Sequence, residues 1–376
     1  MSKKSFLSKH LNIAIQKPFN QTEFENISRR IQHLNYLNLD KEPTVYFALQ
    51  KARVELSLSK RKTNSFDGIV GLVPGTSDRN SDINGELNLN LENLFKSGKI
   101  FQFHWKKITT QTQQLNVKYE HPHLLGSRLT LDLSYDQLKE STIFSNRQLH
   151  LGFKYNLGLD SKLGFFYENK SGNKLEETTS ANGDFDLNNY GIEFELDKLN
   201  NSDAPRKGYL LTSKANIGLK NIATNSLIGS LDNQKNSNQF EFKAGITSYH
   251  PLTINSVLNY RVSGGLIENP RLFLNDLYRV GGLMTIRGFN ENFFYATQYA
   301  LSSLEWQLYF EESSYLFLFY DQAFLRERTF TSNRSAKPAG LGLGMRIKSA
   351  AGFFNLVFGL GHTGGGFSFN QSKIHF

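Results

Sequence analysis

From about Asn64 to the C-terminus the chain reads as an unbroken series of long, alternating β-segments. Sixteen candidates stand out, near 65–75, 83–95, 98–109, 113–121, 128–138, 142–158, 160–170, 184–199, 208–220, 237–251, 255–268, 298–311, 314–325, 338–350, 351–362 and 366–376. Most hold ten residues or more, enough to cross a bilayer at a tilt, which takes roughly 9–11. The alternation is clearest late in the chain. Leu304, Trp306, Leu308 and Phe310 share one face, with Ser303, Glu305 and Gln307 on the other. Leu341, Leu343, Met345 and Ile347 oppose Gly340, Gly342, Gly344 and Arg346. Polar, glycine-rich inner faces against aliphatic outer faces invert the pattern of a soluble barrel with an apolar core. A soluble sandwich also alternates, but sixteen long strands in uninterrupted series are unusual for one. The fold class expected is all-β, a sixteen-stranded antiparallel transmembrane barrel over residues 63–376. An even count lets both ends of the sheet meet on the same side.

Hydropathy does not oppose this. The mean hydropathy of −0.42 and the 39% apolar content are soluble-like, yet barrel strands average out as hydrophilic. No run approaches the roughly 18 apolar residues of a membrane-spanning helix. Thirty-one Phe and 16 Tyr against 2 Trp suit strands and interfacial girdles. Short connections such as Lys96-Ser97-Gly98 and Gly158-Leu159-Asp160 contrast with longer polar ones near 171–183, 221–236 and 326–337. That asymmetry matches periplasmic turns and extracellular loops.

The net charge of +9 raises nucleic acid as a partner. No basic stripe with interleaved aromatics accompanies it, so no nucleic-acid partner is expected. Cysteine is absent, which removes disulfides, thiol catalysis and cysteine-based zinc sites together.

The front of the chain differs. Its first twenty residues start basic but lack the roughly 7–15-residue apolar core of a secretory signal peptide. Either the chain is cytosolic or its leader lies upstream, and the strand series favours the second. A helix is expected over 20–39, with cap candidates Asn20, Gln21 and Thr22, then Phe24, Ile27, Ile31, Leu34 and Leu37 at helical spacing. Pro43 ends that pattern, and two strands follow at 44–50 and 52–60. One helix and two strands are little to bury a core of their own, as if the front of a small α/β domain were missing.

Two motifs stand out from the strand texture. Gly281, Gly282, Arg287, Gly288 and Phe289 lie in the long connection 269–297. About thirty residues on, Tyr320-Asp321-Gln322-Ala323 carries one carboxylate in a strand. An arginine and an aspartate away from bulk water form a short, directional pair, so loop and strand are expected to meet in a plugged lumen. Glu305, on the inner face, is a candidate third partner; the alternative is a solvated lumen carboxylate.

At these residues the chain resembles the outer-membrane assembly-factor superfamily, also called bacterial surface antigens, which includes BamA-like insertases, TamA-like factors and FhaC-like secretion pores. The resemblance covers nearly the whole chain. It implies a sixteen-strand barrel preceded by periplasmic POTRA domains, with the Arg-Gly-Phe loop folded into the lumen between strands eleven and twelve. It also implies a Gram-negative outer-membrane location. Residues 1–62 look like the back of a final POTRA domain, with further POTRA domains and the signal peptide upstream. Ala323 stands where the family's strand motif carries glycine. Pro205-Arg-Lys-Gly208 resembles a family motif at a strand start. Ile374 and Phe376 resemble the terminal signal read by assembly machines, although Gln371 replaces its usual glycine.

The function implied is insertion of outer-membrane proteins by strand templating at a weakly paired seam, without chemical catalysis. Its partners would be the lipid bilayer, unfolded outer-membrane clients and accessory lipoproteins. Ser65–Gly75 suits the open edge, since Gly68, Gly71 and Pro74 weaken a strand ladder; the alternative is that Pro74-Gly75 only makes a turn. A rival is an export pore of the FhaC-like type, and another is a barrel anchor for a missing upstream domain. No cofactor or metal is expected. His121-Pro122-His123 reads as a turn rather than a metal site, and Asp184, Asp186 and Asn188 lack the glycine and terminal Glu of a calcium loop. No catalytic arrangement stands out.

Overall fold

The computed structural model describes residues 2–13, 17–49, 51–73, 82–107, 112–176, 181–201, 204–223, 235–329, 332–349, 352–363 and 372–375. The N-terminal unit holds α1 (Lys4–His10), α2 (Gln21–Glu25) and α3 (Ile27–Gln32), followed by a hairpin of β1 (Leu37–Ala48) and β2 (Lys51–Lys60). The helix expected over 20–39 is therefore corrected. Asn20 does cap α2, accepting from the Glu23 amide at 3.1 Å, but the helix breaks at Asn26 and ends at Gln32. Ile27, Ile31, Leu34 and Leu37 all enter one core, the last of them from a strand. Helix and strand thus feed the same apolar spacing, and periodicity alone cannot find the boundary. Pro43 sits inside β1, where the pairing with β2 slips between Lys41 and Thr44 and no ladder N–H is needed. The core also takes Phe6 and Leu11 from α1 and its end, residues whose run is too brief to announce a helix.

The barrel strands are β3 (Ser65–Val73), β4 (Asp82–Leu94), β5 (Lys99–Lys107), β6 (Gln113–His121), β7 (Leu129–Glu140), β8 (Phe144–Asn156), β9 (Ser161–Lys174), β10 (Phe185–Asp197), β11 (Gly208–Ile222), β12 (Asn236–Thr253) and β13 (Ser256–Glu268). A small hairpin, β14 (Tyr278–Val280) and β15 (Phe294–Ala296), belongs to the next connection and not to the wall. The wall resumes with β16 (Gln298–Tyr309), β17 (Tyr315–Arg328), β18 (Asn333–Ala336), β19 (Ala339–Ser349), β20 (Gly352–His362) and β21 (Ser372–His375). Its strand order runs round a closed barrel, β21 beside β3, and the described pairings are antiparallel. The connection expected over 326–337 contains β18, which pairs with Leu325–Arg328 of β17 while β19 pairs with Tyr315–Gln322. The two lie end to end along one neighbour, interrupted at Lys337-Pro338, where proline cannot donate to a ladder.

Strand period 2 sorts the side chains as expected. Leu304, Trp306, Leu308, Leu316 and Leu318 are exposed on the outside, while Ser303, Gln307, Phe317, Phe319 and Asp321 are buried inside. Apolar side chains turned outward on neighbouring strands make a belt that only lipid can cover. Gly208 starts β11 at φ +104°, and a Cβ there would lie 2.0 Å from the Lys198 carbonyl, so this position admits no side chain.

Candidate functional site

The connection 269–297 between β13 and β16 packs inside the barrel, and two rows of inner-face residues receive it. Backbone pairing aligns Ser303, Asp321, Gly340 and Gly361 across β16, β17, β19 and β20. The next row is Glu305, Phe319, Gly342 and Gly359. Each row offers polar or aromatic groups on two strands and bare backbone on the next two. The Arg287–Phe289 backbone lies on that glycine floor. A Cβ on Gly340 would sit 2.1 Å from the Arg287 carbonyl oxygen, and one on Gly359 would sit 2.7 Å from the Gly288 nitrogen.

The side chain of Arg287 fills the other half. Its Nε and Nη2 donate to the two oxygens of Asp321 at 2.8 and 2.7 Å, and its amide donates to Asp321 at 3.0 Å. Nη2 also donates to Ser303 at 3.0 Å, and Nη1 pairs with Glu305. The guanidinium lies flat on the Phe319 ring, 3.6 Å from its centroid. Arg287 is 5% exposed and Asp321 1%, so this is a desolvated, bidentate pair. Ile286 and Phe289 close it from solvent with Val280, Ala296, Leu301, Ala323 and Leu325. Gly288 adopts φ +93° between them, a conformation that favours glycine. Gly281 and Gly282, at φ +128° and +98°, turn the loop ahead of Arg287.

Arg287, Asp321 and Glu305 thus meet as expected, and Ala323 fits because its methyl is part of the apolar cover. Ser303, Phe319, Gly359 and Gly361 escaped the sequence reading, although glycines two apart on neighbouring strands were a visible signal. Ile374 pairs with Phe358 through the backbone of β21, while Phe376 and Pro74-Gly75 lie outside the described residues.

The first half of the loop grips the opposite wall. Lys220 on β11 is fully buried between the rings of Phe185 and Phe273, at 4.7 and 5.0 Å. It donates to the Arg271 carbonyl at 2.9 Å and pairs with Asp276. Asn275 bonds to Gly183 through both its amide oxygen and nitrogen, and Arg279 pairs with Glu140 at 3.2 Å. One loop is therefore stapled to both sides of the lumen. Below it the wall carries charge pairs: Lys214 with Glu168 at 2.7 Å and Lys170 with Glu241 at 2.8 Å.

His121 ends β6 and His123 lies in the following turn. Among the described residues the only grouping with metal-ligand spacing is Asp132, His150 and Glu193, and the Lys154 ammonium stands between its two carboxylates. Asp184 precedes β10 and accepts from the Lys174 amide at 2.6 Å.

Gly340→Ala is expected to push the Arg287 backbone off its floor. Overpacking of this kind costs about 1–3 kcal/mol. Faster hydrogen exchange confined to residues 281–289 would report it, and unchanged exchange there would contradict the close packing.

A lipid-facing barrel with an inward, ion-paired loop defines an outer-membrane β-barrel protein. The profile of the Omp85 superfamily domain matches residues 42–374, and the chain belongs to that superfamily, whose members act in the outer membrane on protein substrates. No curated protein matches the chain. Among solved structures it is similar to BamA from Haemophilus ducreyi lacking POTRA domains 1–3, with 13% identity and a TM-score of 0.56 over 99% of this chain and 80% of that one. It is also similar to CdiB from Acinetobacter baumannii, with 13% identity and a TM-score of 0.62 over 96% and 68%. CdiB from Escherichia coli gives 11% identity and a TM-score of 0.66 over 99% and 73%.

Proposed function

We propose that the chain is an outer-membrane protein assembly and insertion factor. In this reading residues 1–62 are a partial POTRA-like periplasmic unit. Residues 63–376 are a sixteen-stranded barrel, with β18 and β19 counted as one strand. The barrel acts by offering a strand edge at the seam between β3 and β21, without bond chemistry. Unfolded outer-membrane proteins are the clients, and accessory lipoproteins are further partners.

The observation that carries this reading is where the wall closes: the last strand, β21, lies beside the first, β3, and β3 holds Gly68 and Gly71. Glycines inside a strand weaken its ladder. A weakened edge is one that another strand can join by augmentation. The loop supports insertion over export, since a chain passing through the lumen would have to displace both the Arg287 and Lys220 anchors. The likeness to BamA and to CdiB is one of fold and separates neither reading.

Insertion of a reporter barrel into liposomes holding the full-length protein tests the proposal. Insertion above the rate of empty liposomes is expected. Export of a soluble partner across the membrane without insertion would support the pore instead.

A further inference from the structure

Two of the chain's nine histidines, His10 and His123, meet where the N-terminal unit touches the barrel, and a third, His33, stands at a second contact. Helix α1 lies across two short turns, 95–98 and 122–128. The Lys3 amide donates to the Lys96 carbonyl at 2.8 Å. The Phe6 ring occupies the space a Cβ on Gly98 would need, 2.2 Å away, and Gly98 holds φ +71°. His10 stacks on Phe6 at 5.7 Å between centroids and meets the edge of His123 at 5.7 Å. His123 in turn packs edge-on against Phe6 at 5.6 Å.

The charges facing the His10–His123 pair share one sign. His10 is faced by Arg30 and His33 from α3 and its end, and by His123 from the turn. Its Nε2 donates to the Arg30 carbonyl at 3.2 Å. The Arg30 guanidinium pairs with Glu23 on α2. Lys9 and the Ser127 carbonyl face His123, and Lys9 also covers Gly126. His33 stands at the second contact, 3.8 Å from Asp160 and 4.0 Å from Asp197, carboxylates flanked by Arg29 and Lys162. Arg29 pairs with Asp160 at 2.7 Å. The His10–His123 pair is therefore built for neutral imidazoles.

We propose that it is an acid-sensitive joint, in which protonation of His10, together with His123, releases α1 and the N-terminal unit from the barrel's turns.

Burial is the main force on all three rings. It holds His10 down to about 4, with the His123 charge adding to the effect, and it lowers His123 and His33 as well. At His33 burial outweighs the two aspartates. Undocking parts the His10 and His123 rings and exposes both further, which moves each toward the ordinary value near 6.5. Protons therefore bind the undocked state better. Docking is at full strength above pH 7, weakens as pH falls through the ordinary histidine range, and stops weakening through His10 below about 4. Between pH 7.5 and pH 5, His10 alone changes the docking equilibrium by up to about 30-fold.

The test is hydrogen exchange of the Lys3 amide in the full chain in detergent, corrected for the intrinsic pH dependence of exchange. This amide bonds across the joint, so it reads undocking rather than fraying of α1. Its protection is expected to fall by between about threefold and about 30-fold from pH 7.5 to pH 5, while amides of β10 and β11 keep theirs. His10→Gln retains a donor for the Arg30 carbonyl and cannot titrate, so most of that pH response should vanish. Lys3 protection that changes less than about threefold in the wild type would overturn the proposal, because a titrating His10 demands more. So would an equal fall in His10→Gln, or a fall shared with β10 and β11. The inference stands whether the barrel inserts proteins or exports them.

Discussion

Arg287→Ala is expected to free the second half of the lumen loop while the barrel stays folded. The substitution strands Asp321, a buried carboxylate that receives three hydrogen bonds from this one residue. Breaking a buried pair from one side costs about 3–5 kcal/mol. The amide bond to Asp321 survives in the variant, which places the expected loss toward the lower end. Asp321→Ala removes the other partner and should cost a similar amount. The double variant should be far less than additive, because both changes break one interaction. Hydrogen exchange of residues 281–289 measures the loop, and far-UV circular dichroism measures the wall. Additive losses would mean that Arg287 and Asp321 act separately. The assembly activity of either single variant should fall with loop order.

Lys220→Met is expected to release the first half of the loop and leave the second half in place. The buried Asp276 side chain then keeps the Phe273 amide, at 2.8 Å, but loses its ammonium partner. The cost is again about 3–5 kcal/mol, and it falls on residues 271–278. The wall they close is the one carrying Phe185 and Ile222, so the far end of the lumen should open there. Larger single-channel conductance and faster exchange over 271–278 are the expected readouts. Lys220→Met combined with Asp276→Leu should recover part of the loss, since an apolar pair of similar volume replaces a buried ion pair at little cost. No change in conductance or exchange in Lys220→Met would show that this anchor does not hold the loop.

The two anchors differ in how far the sequence revealed them. Arg287 and Asp321 were legible because each stands alone, a loop arginine beside glycines and one carboxylate in an aromatic strand. Lys220 was not, because in sequence it is one of many lysines near a polar loop, and only the fold puts Phe185 and Phe273 around it. Most wall strands were legible from period 2, with ends within a few residues of the observed ones. The elements that escaped were short: β14, β15 and β18 have too few residues to show alternation. The front of the chain misled for another reason. Leu34 and Leu37 continue the spacing of α3 although the backbone has already left the helix. His10 and His123 carried no signal at all, since 113 residues separate two rings that touch only in the folded chain.

Strand templating at the seam is the central claim, and the absence of cysteine makes it directly testable. One cysteine placed in β3 and one in β21, scanned over 65–73 and 372–375, can be oxidised to tie the first and last strands together. Reporter-barrel insertion is then measured in liposomes with the full-length protein, before and after reduction. The account predicts that the oxidised seam blocks insertion and that reduction restores it, with Arg287 and Asp321 untouched throughout. Full insertion by a barrel whose seam is shown to be cross-linked would contradict it.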